Sequence, residues 1–306
     1  MNGAMAQADW PDTRAVDTAR RRVPRDWPGA EHSRIVVAAG VDWHVQLRGS
    51  GPLLVLLHGA GASLHSWQLL AGYLERHYQL LMLDLPGHGF SSSFTSGAYT
   101  LPRTASALAS LLEALQLRPD MLIGHSAGGA IAMQLRLAHA DLVPASVRLT
   151  AINPAILPFS GVAGVAFPAI ARMVCGSRLL TSLLAQRAAN PTQVERLIRG
   201  TGSSLDAEQI RLYQELLRRP KHVQSVLSMM AGWKLDHLVD EIVTQDASML
   251  LLLGERDTAV PWRRTRRIAG RLANTQLVSF ESLGHLAHEE SPGDIAPCID
   301  NYWHER

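Results

Sequence analysis

Leu122-Ile123-Gly124-His125-Ser126-Ala127-Gly128-Gly129 decides the reading of this chain. An apolar strand end runs into a glycine-flanked serine, and the apolar helical run Ala130-Ile131-Ala132-Met133 follows at once. A serine on a sharp strand-to-helix turn presents its hydroxyl above the end of a sheet, and small neighbours two residues away on either side let the strained backbone pass. Gly124 and Gly128 hold those two positions. The amides at the start of the helix, Ala127 first, point at the same spot and would meet negative charge developing on a substrate oxygen. Taken alone, the pattern also fits a glycine-rich turn with no chemistry.

Working outward, Leu53–Leu57, Leu80–Leu83, Met121–Ile123, Val147–Ile152 and Met249–Leu253 are short and almost continuously apolar. Such runs suit strands covered by helices on both faces, as in a parallel sheet. Helical spacing fills the intervals near Ser66–Arg76, Leu101–Leu115, Gly129–Ala138 and Arg263–Leu272. A hairpin of Ile35–Val37 and Val41–Leu47, turning at Ala39-Gly40, comes before them, and Thr275–Phe280 reads as the last strand. The alternation predicts an α/β fold with a mostly parallel central sheet flanked by helices. Right-handed crossovers then bring the loops that follow the strands to one sheet edge.

The expected organisation has three parts. Residues 1–33 form an irregular N-terminal arm, rich in Arg, Asp and Pro, that Trp10 and Trp27 pin to the body; residues 34–154 and 247–306 form the core. Residues 155–246 show no strand, only helical patterns such as Gln193–Ile198 and Ala207–Leu217. They read as a helical cap inserted after the sixth strand and lying over the edge that carries the loops.

Totals exclude several classes. At 306 residues the chain can bury a full core, and its formal net charge of +2 is too small to argue for nucleic acid. The two cysteines, Cys175 and Cys298, are far apart and belong to no CxxC or Cys/His cluster, so neither a disulfide framework nor a metal site is expected. No basic start followed by an apolar stretch marks a secretory signal, and no run of about eighteen apolar residues marks a membrane span. A cytoplasmic location is expected. The cluster Arg20-Arg21-Arg22 with Arg25 reads first as a solvated charge run, and second as a weak peripheral contact with an anionic membrane.

A serine hydroxyl needs a base, and the base an orienting acid. On this architecture the chain order is Ser, then Asp or Glu, then His. The strand Met249–Leu253 runs into Gly254-Glu255-Arg256-Asp257, and Asp257, just past the strand end, is the expected acid, with Glu255 as its rival. Asp84, in the turn Asp84-Leu85-Pro86-Gly87-His88-Gly89, comes too early and is assigned to holding its own loop. Among thirteen histidines, His285 stands in the required order, on the Gly284 turn after the last strand. His288, beside Glu289 and Glu290, reads as surface-facing. In His58-Gly59-Ala60-Gly61, Ala60 is the expected second oxyanion donor beside Ala127, and His58 a loop-fixing hydrogen bonder.

Together His58-Gly59, Asp84-x-Pro-Gly-His-Gly-x-Ser91, Gly124-His-Ser-Ala-Gly128, Gly254-x-x-Asp257 and Gly284-His285 resemble the α/β-hydrolase superfamily, from about residue 34 onward. Ser126 at the elbow departs from the aspartate of haloalkane dehalogenases and epoxide hydrolases. A narrower likeness lies in Val194–Ser203, Met229-Met230-Ala231-x-Trp233, His285-Leu-Ala-His-Glu-Glu290 and Trp10-Pro11. These resemble the BchO-like magnesium-chelatase accessory family of bacteriochlorophyll-making bacteria. The resemblance implies a place in tetrapyrrole biosynthesis near magnesium insertion, with magnesium-chelatase subunits as partners; the Arg-rich arm and apolar cap add the expectation of peripheral contact with the inner or photosynthetic membrane.

Met173, Met229, Met230, Phe159, Phe167 and Trp233, interspersed with arginines such as Arg172, would give the cap an adaptable apolar wall with carboxylate partners, set against an ordinary cap with solvated charges. Arg199, Thr201, Met229 and Trp233 are the expected substrate-facing residues. Two functions are therefore expected: a Ser126–His285–Asp257 hydrolase of ester or acyl bonds on a small-molecule substrate such as a tetrapyrrole ester, with no cofactor, or a non-hydrolytic tetrapyrrole-binding accessory to magnesium chelatase.

Overall fold

The computed structural model describes residues 10, 23–157, 177–244, 248–272 and 274–305. The arginine cluster Arg20–Arg22, and Phe159, Phe167, Arg172, Met173 and Cys175, lie outside the described residues.

Eight strands form one sheet: β1 (Ser33–Ala38), β2 (Val41–Arg48), β3 (Leu53–Leu57), β4 (Gln79–Leu83), β5 (Met121–His125), β6 (Arg148–Ile152), β7 (Met249–Gly254) and β8 (Thr275–Phe280). Their spatial order is β1-β2-β4-β3-β5-β6-β7-β8. The hairpin β1–β2 and the β2–β4 pair are antiparallel, and every other pair is parallel. The expected mostly parallel α/β sheet is therefore the observed one.

Strand side chains alternate between faces, so each apolar run feeds two cores. Leu54, Leu56, Leu80, Met82, Ile123, Leu250 and Leu252 meet Trp67, Leu70, Tyr78, Ile295 and Ile299 on one face. Val55, Leu57, Leu81, Leu83, Leu122, Leu149 and Leu251 meet Leu108, Leu112, Ile131 and Leu135 on the other. The covering helices are α1 (Gln68–Leu74), α2 (Leu101–Ala114), α3 (Ala127–Ala138), α9 (Trp262–Ala269), α10 (Ala287–Glu290) and α11 (Pro292–His304). Their starts are written locally: Thr100 accepts the Arg103 amide ahead of α2, with Pro102 in the first turn.

Between β6 and β7 the described chain holds only helices: α4 (Arg178–Ala188), α5 (Pro191–Arg199), α6 (Ala207–Leu217), α7 (Pro220–Gly232) and α8 (Leu238–Thr244). Asn190 caps α5, and Asp206 with Gln209 forms a reciprocal capping box at α6. Among the described residues no helix is long and apolar enough to cross a membrane.

Trp27 is buried and joins three parts of the chain. Its ring lies 4.9 Å from Phe90 and 5.6 Å from His65, centroid to centroid. Leu212 and Leu216 of α6 complete the cluster. Trp10 packs against the main core, with the Arg34 guanidinium 5.7 Å from its ring. Removing a fully packed indole forfeits its burial and leaves a cavity. Trp27→Ala is expected to lower unfolding stability by about 3–5 kcal/mol, read as a lower urea midpoint with an unchanged m value.

Candidate active site

The parallel strands end at one edge, and β3, β5, β6, β7 and β8 deliver there His58, Ser126, Asn153, Glu255 and Glu281 with their loops. At the elbow Ser126 adopts φ 50° and ψ −114°, between β5 and the first turn of α3. A non-glycine residue at that φ is held only by its surroundings. The Ser126 amide donates to Ile152 O at 3.0 Å, and Ser126 O accepts from the amides of Gly129 (3.1 Å) and Ala155 (3.0 Å). The neighbours have no room for side chains. A Cβ on Gly128 would lie 1.9 Å from Leu57 O, and one on Gly124 2.4 Å from Gly128 itself.

His285 Nδ1 and Asp257 Oδ2 are 2.7 Å apart, with the Asp257 carboxylate fully buried. The second oxygen, Oδ1, accepts the amides of Ala259 and Val260, each at 2.8 Å, which fixes the carboxylate plane. A carboxylate accepting at Nδ1 leaves Nε2 of His285 unprotonated and free to take a proton. Glu255 instead accepts a hydrogen bond from Ser279 Oγ at 2.8 Å, so Asp257 rather than its rival meets the histidine. Asp84 holds its own loop, as its early place in the chain requires. It meets His44 Nδ1 at 2.7 Å and accepts the Leu64 and Phe90 amides at 2.8 Å. Burial opposes its ionisation, but the His44 and His58 rings and the Leu64 amide outweigh it and hold its pKa down to about 2.

The loop after β3 brings Gly59, the residue before Ala60, against the elbow: a Cβ on Gly59 would lie 3.1 Å from Ser126 Cβ. His58 accepts the Leu85 amide at Nε2 (2.9 Å) and therefore donates from Nδ1 to Gly59 O (2.8 Å), a loop-fixing role. Among the described residues no acceptor takes the Ala60 or Ala127 amide. Two such donors beside a serine can bind a developing oxyanion.

Sequence reasoning missed several residues of this edge. Asn153, at φ 43°, donates from Nδ2 to Gly284 O and His285 O, both at 2.9 Å, and accepts the Gly254 amide at Oδ1 (2.8 Å). It thereby ties the end of β6 to both the acid-bearing and the histidine-bearing loops. Positive φ suits asparagine, and an Asn-Pro step after a buried strand is the one cue the sequence offers. His125 donates from Nε2 to the same His285 carbonyl at 2.9 Å.

The expected substrate-facing residues fall differently. Arg199 is largely exposed and pairs with Glu195 one turn back at 2.9 Å, a solvated pair on the helix surface. Thr201 turns its hydroxyl to Ile198 O, while its carbonyl accepts the amides of Thr258 (3.2 Å) and His285 (3.3 Å). Its contact is with the site's own loops. Gly202 (φ 83°) makes that approach feasible, since a Cβ there would lie 1.8 Å from Arg256 O. Met229 is buried in the main core and Trp233 packs against that core, its indole N–H buried without a partner.

His288 is fully buried, not surface-facing. Its ring stacks between Trp67 and His125, with both centroids 4.5 Å away. The chain reverses through the single turn of α10, which points residue 288 inward and leaves Glu290 to accept the Gly284 amide. Glu289 is buried too, and accepts the Tyr213 hydroxyl at 2.6 Å. Among the described residues no group of three or more His, Cys, Asp or Glu is set to hold a metal ion.

Burial keeps these imidazoles neutral. It lowers His58 and His288 to about 3 and His65 and His88 to about 4, with neighbouring histidines adding to the effect at His58 and His288. Glu289 moves the other way, to about 8, through burial and the nearby Glu290 against the opposing Tyr213 bond. In the unfolded chain these histidines take up protons below about pH 6.5, whereas in the fold they resist until about pH 3–4, so stability falls as pH drops below about 6.5. Unfolded Glu289 ionises above about pH 4.5 and folded Glu289 above about pH 8, so its own effect is a loss of stability as pH rises across that range. A Tm profile is expected to drop on acidification from pH 6.5 to 4, and Glu289→Gln to flatten its decline between pH 6.5 and 8.

Comparison with known proteins agrees with this architecture. The model of the alpha/beta hydrolase family matches residues 54–297. The chain is 36% identical over 281 residues to the magnesium-chelatase 30 kDa subunit of Rhodobacter capsulatus, covering 91% of this chain and 97% of that one. It is 30% identical to a pimeloyl-[acyl-carrier protein] methyl ester esterase of Aeromonas salmonicida, across 83% of this chain and 96% of the other. A thermophilic esterase from Thermogutta terrifontis superposes with a TM-score of 0.70 at 22% identity, covering 88% of this chain and 96% of that structure, a likeness of fold. With the family model spanning both sheet halves and the helices between them, this chain belongs to the alpha/beta hydrolase family.

Proposed function

We propose that the chain is a serine hydrolase of an ester or similar acyl bond on a small molecule. The 2.7 Å bond between His285 Nδ1 and Asp257 Oδ2, at the edge that also carries the strained Ser126, supports this reading most directly. Ser126 Oγ attacks the acyl carbon as His285 Nε2 takes the hydroxyl proton, and the Asp257 carboxylate balances the imidazolium. The carbonyl oxygen becomes an oxyanion facing the Ala60 and Ala127 amides. His285 passes the proton to the departing alkoxide or thiolate, leaving an acyl-serine. Water then donates its proton to His285, attacks the acyl carbon and releases the acid with Ser126 restored.

In the same reading residues 155–246 act as a cap, with residues 34–154 and 247–306 as the catalytic core and 1–33 as an arm. Likeness to a magnesium-chelatase subunit directs the choice of substrate toward tetrapyrroles or their esters, at or near the magnesium-insertion step of bacteriochlorophyll synthesis, with chelatase subunits as partners. That same likeness favours a second reading, a tetrapyrrole-binding accessory without hydrolysis.

Serine-directed fluorophosphonate labelling separates the two. Wild-type protein is expected to label stoichiometrically and Ser126→Ala not at all; equal labelling of both rejects the nucleophile. Absorbance titration with protoporphyrin IX and its magnesium form checks the tetrapyrrole reading, and an unchanged spectrum at micromolar protein rejects it.

A further inference from the structure

His222 lies on α7, in the helical stretch between β6 and β7, yet both of its ring nitrogens are spent on loops of the sheet edge. The Gly89 amide, in the loop after β4, donates to His222 Nδ1 at 3.2 Å. An amide can only donate, so Nδ1 is the acceptor and the ring proton sits on Nε2. Nε2 faces Gly61 O, in the loop after β3, also at 3.2 Å, and donates to it. Burial, with His88 5.3 Å away centroid to centroid, lowers the His222 pKa well below the usual value and keeps the ring neutral, while the two hydrogen bonds select this tautomer.

Gly61 immediately follows Ala60. On the upstream side Gly59 O is held by His58 Nδ1 (2.8 Å) and the Ala62 amide (3.2 Å). On the downstream side Gly61 sits at φ 85° with no atom within 4 Å of where a Cβ would be, so no side chain packs that face. The His222 bond is what holds Gly61 itself, while the next residue, Ala62, is buried against Val194, Ile198 and Tyr213. One turn along α7, Ser225 meets Tyr99 Oη at 3.0 Å and Ser93 Oγ at 3.1 Å, which keeps this helix face seated on the edge.

We propose that His222 is a positioning residue of the oxyanion loop alongside His58: by donating to Gly61 O it fixes the far side of Ala60, helps aim the Ala60 amide at the reacting oxygen, and so makes the site complete only while α7 is docked. This rests on the serine-hydrolase reading. Ligand-driven movement of α7 would then switch the oxyanion site without touching Ser126, His285 or Asp257.

The test is the second-order rate constant for phosphonylation of Ser126 by a fluorophosphonate, whose phosphoryl oxygen calls on the same donors, together with the final labelling stoichiometry. Losing one oxyanion donor outright costs about 10²–10³-fold, so misaiming it in His222→Ala is expected to slow labelling roughly 10- to 100-fold while stoichiometry stays complete. A purely structural role would lower stoichiometry or Tm and leave the rate of the remaining sites unchanged. Two isosteres divide the bonds. His222→Gln keeps a donor at the Nε2 position and is expected to restore the rate to within about threefold, whereas His222→Asn keeps only the acceptor at the Nδ1 position and is expected to stay slow. An unchanged rate in His222→Ala, or rescue by Asn equal to that by Gln, overturns the proposal. Wild-type protein that does not label overturns the serine-hydrolase reading and this proposal with it.

Discussion

Everything at the sheet edge depends on the backbone of Ser126 staying at φ 50°. A residue held there costs on the order of 1–3 kcal/mol, and the surroundings must hold it from several sides. Ile152 O, the Gly129 amide and the Ala155 amide do so at 3.0–3.1 Å. The elbow also sets how closely α3 can lie against β3, because the Gly128 backbone touches Leu57 O where any side chain would collide. A position that forces one serine out of the ordinary conformational regions is costly to keep without a use. That cost is the structural argument for chemistry at Ser126 over a plain glycine-rich turn.

The remainder of the edge is built to hold loops by their carbonyls and amides. Asn153, His125 and Thr201 all bond the backbone of Gly284 or His285, and Thr201 also bonds that of Thr258 in the acid loop. Aiming the imidazole through its own backbone leaves both ring nitrogens available, one for Asp257 and, in the proposed mechanism, the other for the proton of Ser126. Glu290 adds a clasp, accepting the Gly284 amide at 2.9 Å and the Ser204 amide at 3.3 Å. The segment Gly200–Ser204, between α5 and α6, is thereby part of the support of the histidine loop.

Burying so many imidazoles has an energetic consequence. Each stays neutral because charging it would strip a cation of water, and several retain nitrogens with no hydrogen-bond partner among the described residues, among them both nitrogens of His288. Neutral histidine serves this edge well, since one ring can accept from an amide and donate to a carbonyl at the same time, as His58 and His222 do. A lysine or a carboxylate offers only one of those functions.

Much of this was written locally. Apolar runs of strand length alternating with helical spacing and the glycines around Ser126 are properties of neighbouring residues, so the sequence alone determined the α/β sheet and the glycine-flanked elbow, while it left Glu255 as a rival that only the structure set aside by placing Asp257 against His285. It misread His288, because a single helical turn leaves no period from which to choose a face. For Arg199 and Thr201 a likeness of motif names residues without saying what each one meets, and the structure sets the first against Glu195 and the second against the loops of Thr258 and His285. Asn153 with Gly254, His125 with His285 and His222 with Gly61 join residues 101, 160 and 161 positions apart. Such pairs become neighbours only when separate strand ends and an inserted helix converge on one edge, and that convergence, a matter of tertiary packing, decided which carbonyls and amides hold the site together.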